Sequence, residues 1–178
     1  MALFKLGDPW MELMRFAGKW LAHSAMAGRD GETLIPFGVS QRKSWIGRTE
    51  DIQIFQAPTF EQGAEAASQW FGTTRGTCLR AMFGFDGYAT IGGIKRDAII
   101  AYAADGNGEA EVKMTAPYRR GGVPGDYESY QPILTLSDNG EVDPDRYAQL
   151  MSALRAGRDM HPIKEVRQVA RWTPMSNF

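Results

Sequence analysis

Cysteine occurs once in this chain, at Cys78, and histidine twice, at His23 and His161. A lone thiol excludes an intramolecular disulfide framework and suits a reducing compartment. Neither histidine has a second histidine or a cysteine at metal-ligand spacing, so no zinc motif can be read. No stretch approaches the roughly 18 consecutive apolar residues of a membrane span. The opening MALFKLGDPW meets Asp8 and Pro9, then Glu12 and Arg15, before any uninterrupted apolar core, and fits no secretory signal. A charge excess is lacking too: 20 Lys and Arg stand against 21 Asp and Glu. With a formal charge of -1 there is no global field to draw nucleic acid or anionic lipid. The expectation is a cytoplasmic protein with no membrane association, no metal and no cofactor.

Internal repeats, low-complexity tracts and long polar linkers are also missing. The 178 residues are therefore read as one globular domain, 1–178, with 174–178 frayed. In GDPWMELMRFAGKWLAHSAMAGRDGE, Asp8 caps a helix with Pro9 in its first turn, and Leu13, Met14, Ala17 and Leu21 recur at helical spacing. Residues 32–56 alternate apolar with polar side chains and read as two or three short strands, the first made an edge by Pro36. Thr59 and Gln62 have capping-box spacing ahead of a second helix carrying Phe60, Ala64, Ala67 and Phe71.

From Leu79 to Tyr118 the period is two. Gly92-Gly93 and Gly106-Asn107-Gly108 punctuate three strands as hairpin turns, and YESYQPILTLS adds a fourth with an edge or bulge at Pro132. Asp143 and Pro144 open a third helix with Tyr147, Leu150, Met151 and Leu154 on its buried face. The segment 163–172 is read as helix, with a strand as the alternative. This order predicts an α+β domain: a mainly antiparallel sheet, a meander of about four strands plus N-terminal strands, with helices packed on one face.

Motifs that would carry chemistry fail on inspection. The glycines of GYATIGG lie between strands, whereas a phosphate loop needs a helix to follow. DGNGEAE places Asp105, Asn107, Glu109 and Glu111 at alternate positions, but the sixth and twelfth places of a calcium loop hold Ala110 and Ala116. SDNGEVDPD, with Asp138 and Glu141, reads as a turn and a helix cap. No nucleophile stands beside a base in any recognisable motif, so no catalytic residue is assigned. Among the carboxylates, Glu50, Asp51 and Asp97 are the ones placed to face a cleft.

The function expected is that of a binding module that engages a protein partner or a second copy of itself through apolar and arginine-aromatic surface. Trp10, Trp20 and Trp172 are the expected anchors, since tryptophan beside arginine is typical of interface hot spots. The alternative is an enzyme or small-ligand binder that holds a small-molecule anion with Arg119 and Arg120 in a cleft between sheet and helices, with Cys78 or His161 reactive. Nucleic-acid binding would require Arg42, Lys43, Arg48, Arg119 and Arg120 on one face, and the balanced charge argues against it.

Overall fold

A computed structural model describes residues 7–123, 126–136 and 142–175. The acids Asp138 and Glu141, the loop residues Pro124 and Gly125, the first six residues and 176–178 of the expected frayed end lie outside the described residues. The chain folds as an α+β protein with an antiparallel sheet. Helix α1 (Pro9–Arg29) begins where the sequence places it: Asp8 Oδ1 accepts the Trp10 N–H at 2.9 Å, and Pro9 occupies the first turn. Strands β1 (Phe37–Ser44) and β2 (Gly47–Ile54) form a hairpin closed by Trp45 and Ile46. Helix α2 (Phe60–Thr74) is capped by Thr59, whose hydroxyl accepts the Gln62 N–H at 3.3 Å.

Strands β3 (Arg80–Ile91) and β4 (Ile94–Asp105) pair along their whole length. Their turn is Gly92-Gly93, with φ of 58° and 81°, a left-handed pair that glycine adopts without a Cβ clash. β5 (Glu111–Arg120) follows, then β6 (Tyr127–Ser129) and β7 (Ile133–Leu136), which pair with opposite ends of β5. Pro132 sits in the break between them, as its missing N–H requires. The sheet order is β2-β1-β3-β4-β5, with β6 and β7 sharing the far edge.

Helix α3 (Pro144–Asp159) lies along α1 at very close range: a Cβ on Gly18 would fall 1.9 Å from the Leu154 carbonyl oxygen, and one on Gly157 the same distance from that of Arg15. Helix α4 (Lys164–Val169) covers only the start of the segment read as helix; the chain then extends, and Thr173 bridges to Tyr130 in parallel. The helical reading of 163–172 thus holds to Val169. Beyond it, Ser129 and Gln131 offer backbone partners to Thr173, and a further helical turn would leave those unused.

Helices α1, α3 and α4 cover one face of the sheet, over a core of Leu13, Met14, Leu21, Met82, Met114 and Leu154. α2 is the exception to the expectation of one covered face. It packs on the opposite side, where Ala67 and Phe71 meet Ala81, Phe83 and Ala104. β4 is consequently buried on both faces from Ala98 to Ala101. Among the described residues no helix is long and apolar enough to cross a membrane.

Candidate functional site

Two of the three expected tryptophan anchors are core residues. Trp20 is 7% exposed because α1 is apolar over a wide arc and turns it toward the sheet. Trp172 is 3% exposed, tucked under the extended tail, its backbone N–H donating to Ser129 Oγ at 3.4 Å and the Arg158 guanidinium over its ring. Trp172 offers no ring to a partner, and Trp20 keeps only a sliver of surface, on the wall of a groove beside Phe37, so neither is the exposed anchor that composition suggests. Trp10 is half-buried against the same core.

Arg119 and Arg120 do not form a common fork. Side chains alternate along a strand, and Arg119 pairs with Glu128 at 3.3 Å while Arg120 donates to the Glu32 carbonyl at 2.8 Å and to Asp86 at 3.4 Å. Asp86 also accepts the Tyr118 hydroxyl at 2.6 Å. Burial, then that hydrogen bond and the carboxylate charge, pushes the Tyr118 phenol far above its ordinary range, so it stays a donor. The adjoining depression, about 320 Å³, is lined by Glu61, Asp86 and Asp97 as well as Arg120. Asp97 does face a cleft, then, but an acid-rich one in which the arginine is already neutralised.

Glu50 faces another. Its carboxylate takes Lys19 at 2.6 Å and Gln41 at 3.0 Å; Gln41 in turn takes Arg80 at 2.5 Å, and Arg80 reaches Glu12 at 2.8 Å. Burial raises the Glu12 carboxyl, but Arg48, Arg80 and Arg15 outweigh it and hold the group below its ordinary value. The network ties α1 to β1, β2 and β3, with Arg15, Lys19, Arg48 and Arg80 gathered on the carboxylates of Glu12 and Glu50.

Cys78 is half-buried with its sulfur 3.2 Å from the Arg80 carbonyl oxygen, and burial pushes its thiol up despite Arg42. Arg75 and Arg80 point elsewhere, to Glu111 and Glu12. His23 and His161 meet across 138 residues of chain, Nδ1 to Nε2 at 3.1 Å with the rings stacked. The Ile163 N–H donates to His161 Nδ1, which places the His161 proton on Nε2 and directs it at His23 Nδ1. A metal between the two nitrogens would displace that proton, so the pair is a neutral hydrogen bond. Sequence reading could not have joined the two.

What the structure leaves open is the β1–β2 hairpin. Ile52 and Ile54 are 53% and 52% exposed on the α1 side of the sheet, continuing outward the row begun by Val39 and Phe37. With Trp20, Leu34, Ile35 and Phe37 they line a groove of about 390 Å³. Trp45, at the turn, is 96% exposed. The Phe55 N–H donates to the Pro36 carbonyl at 2.8 Å, and this sets the phase of the β1–β2 ladder. Because hydrogen-bonded pairs alternate, residues 49, 51 and 53 bond to β1, whereas Arg48, Glu50, Ile52 and Ile54 turn their N–H and C=O groups to the free edge. The signal for this site was present in EDIQIFQ, but only the sheet order shows that β2 is terminal. The chain matches no family model, no curated protein and no solved structure.

Proposed function

We propose that the protein is a binding module that takes up an extended strand of a protein partner along the free edge of β2, in the reducing, cytoplasmic setting that its single cysteine suits. One contrast carries this reading. The sheet blunts its far edge with two short strands broken at Pro132, as monomeric sheets ordinarily do. Its near edge is eight residues long and in unbroken register with β1, and it holds no proline. It presents a row of backbone donors and acceptors flanked on one face by two isoleucines, the combination used when a strand is added to a sheet. Such a partner supplies an extended run with alternate apolar residues to cover Ile52 and Ile54.

The nucleic-acid alternative is not favoured by this geometry. Arg42 and Arg48 lie on opposite faces of the hairpin, as Arg119 and Arg120 do on β5.

The experiment is site-specific photo-crosslinking in cells that express the protein, with a benzophenone side chain in place of Ile52 or, as a control, of Glu65 on the outer face of α2. The expected result is a defined adduct from position 52, mapped by mass spectrometry to an extended apolar-polar segment and absent from position 65. Equal adducts from both positions, or none from 52, would overturn the proposal.

A further inference from the structure

The edge of β2 is self-complementary in one register, and we infer that its partner is β2 of a second copy, paired antiparallel about a twofold axis through Ile52. This inference rests on the reading of β2 as a docking edge.

A twofold that pairs two identical strands antiparallel stands perpendicular to the sheet, so residues that meet must share a face. The free-edge groups belong to Arg48, Glu50, Ile52 and Ile54, and the admissible registers pair these with one another. Centring the axis on Glu50 sets two carboxylates face to face, and centring it on Asp51 does the same for the two aspartates. Like charges directly opposed in a sheet are destabilising. Centring it on Gln53 leaves Glu50 beyond the end of the paired strand. The register centred on Ile52 opposes no like charges and leaves only Arg48 of the four past the strand end: Ile52 meets Ile52, Glu50 meets Ile54 in both directions, and Asp51 meets Gln53 on the other face. The isoleucines then form one apolar row across the axis.

The same register explains the hairpin tip. Continued past the strand ends, it sets Ile46 of one copy beside Pro58 of the other, which brings the exposed Trp45 toward the start of the second copy's α2. The groove floored by Phe37, Ile52 and Ile54 lies on the axis side and meets its twin there. Two such sheets become one continuous sheet in which both β2 edges are paired and the outermost strands are the short, proline-broken ones.

The test combines solution mass with register mapping on the full chain. Light scattering should give twice the chain mass for the wild type and the chain mass for Ile52→Pro. That proline removes an N–H which β1 does not use, so circular dichroism and the melting transition should show the variant folded. If Ile52→Pro does not fold, Ile52→Lys, at an exposed position, serves in its place. In a Cys78→Ser background, mixed Asp51→Cys and Gln53→Cys chains should form a disulfide under mild oxidation, and neither should do so alone. A wild-type monomer at the highest soluble concentration would overturn the pairing, and Asp51→Cys linking to itself would overturn the register. A foreign strand on the benzophenone at position 52 of such a monomer would leave the docking edge standing with another occupant; no adduct and no dimer would remove both readings.

Discussion

Gly18 on α1 lies directly under the carbonyl of Leu154 on α3, and Gly157 on α3 answers it under the carbonyl of Arg15. The two helices approach so closely because neither has a side chain at the crossing. Gly18→Ala forces a methyl into a space 1.9 Å from backbone oxygen, and backbone cannot swing aside as a side chain can. The helix-propensity gain of alanine, about 1 kcal/mol, is outweighed. The expected outcome is a net loss of about 2–3 kcal/mol in urea denaturation, whereas Gly72→Ala, in open space on α2, should be neutral or stabilising.

Tyr118 and Asp86 present a different kind of dependence. Tyr118→Phe removes the hydroxyl from a buried site and leaves one carboxylate oxygen without its donor, while Arg120 keeps hold of the other. A loss of about 1–3 kcal/mol is expected for such an unpaired group. Tyr102→Phe, on the opposite face of the sheet, provides the control.

The neutral state of the two histidines makes stability sensitive to mild acid. Burial, then the charge of Lys19, holds His23 below its ordinary value. Burial holds His161 down as well, together with His23 and then the charges of Lys19 and Arg167. Arg167 also donates to the His161 carbonyl, and Glu50 partly screens Lys19. With folded-state values below the unfolded one, the unfolded chain binds more protons as pH falls below about 6.5. Stability is therefore full above that pH and lost as pH drops through the window down to the folded values. Melting temperatures measured from pH 8 to pH 5 should fall in the wild type, and less steeply in His161→Gln.

Cys78 should be sluggish. Burial favours its thiol form, and carbonyl oxygens of Thr74 and Arg80 lie around the sulfur where a thiolate would be repelled. At pH 8 its rate with an aromatic disulfide reagent should be about tenfold or more below that of free cysteine. A rate equal to or above the free thiol would restore a reactive role for this residue.

The sequence spelled out local structure well where a residue type has one conformational use. Asp8-Pro9 marks a helix start, Gly92-Gly93 a tight hairpin, and Val112, Met114 and Ala116 the inner face of β5. It was silent wherever position depends on what lies across the sheet. Ala98 to Ala101 are apolar at every step, the mark of a strand buried on both faces, but the run alone does not say which element supplies the second cover, and α2 supplies it. Trp20 and Trp172 have the composition of surface anchors, but burial is decided by the elements that close over them. Glu50 and Asp97 were legible as cleft-facing carboxylates. Their partners Lys19, Gln41 and the Tyr118 cluster lie on other elements and were not.

The placement of α2 apart from the other helices divides the interior unequally. Its contacts with the sheet run through a few residues, Ala67, Phe71, Phe83 and their neighbours, whereas α1 and α3 are locked by a broad core and by their shared glycine crossing. Local opening follows the smaller cluster. Deuterium should therefore reach the amides of α2 through excursions that leave α1 intact, and reach the centre of β4, roofed on both faces, only when the whole chain unfolds. The molecule should thus open at two levels, and because Trp70 of α2 packs on Gly38 and Phe55, a change that loosens α2 should also be felt at the hairpin on which binding is proposed to depend.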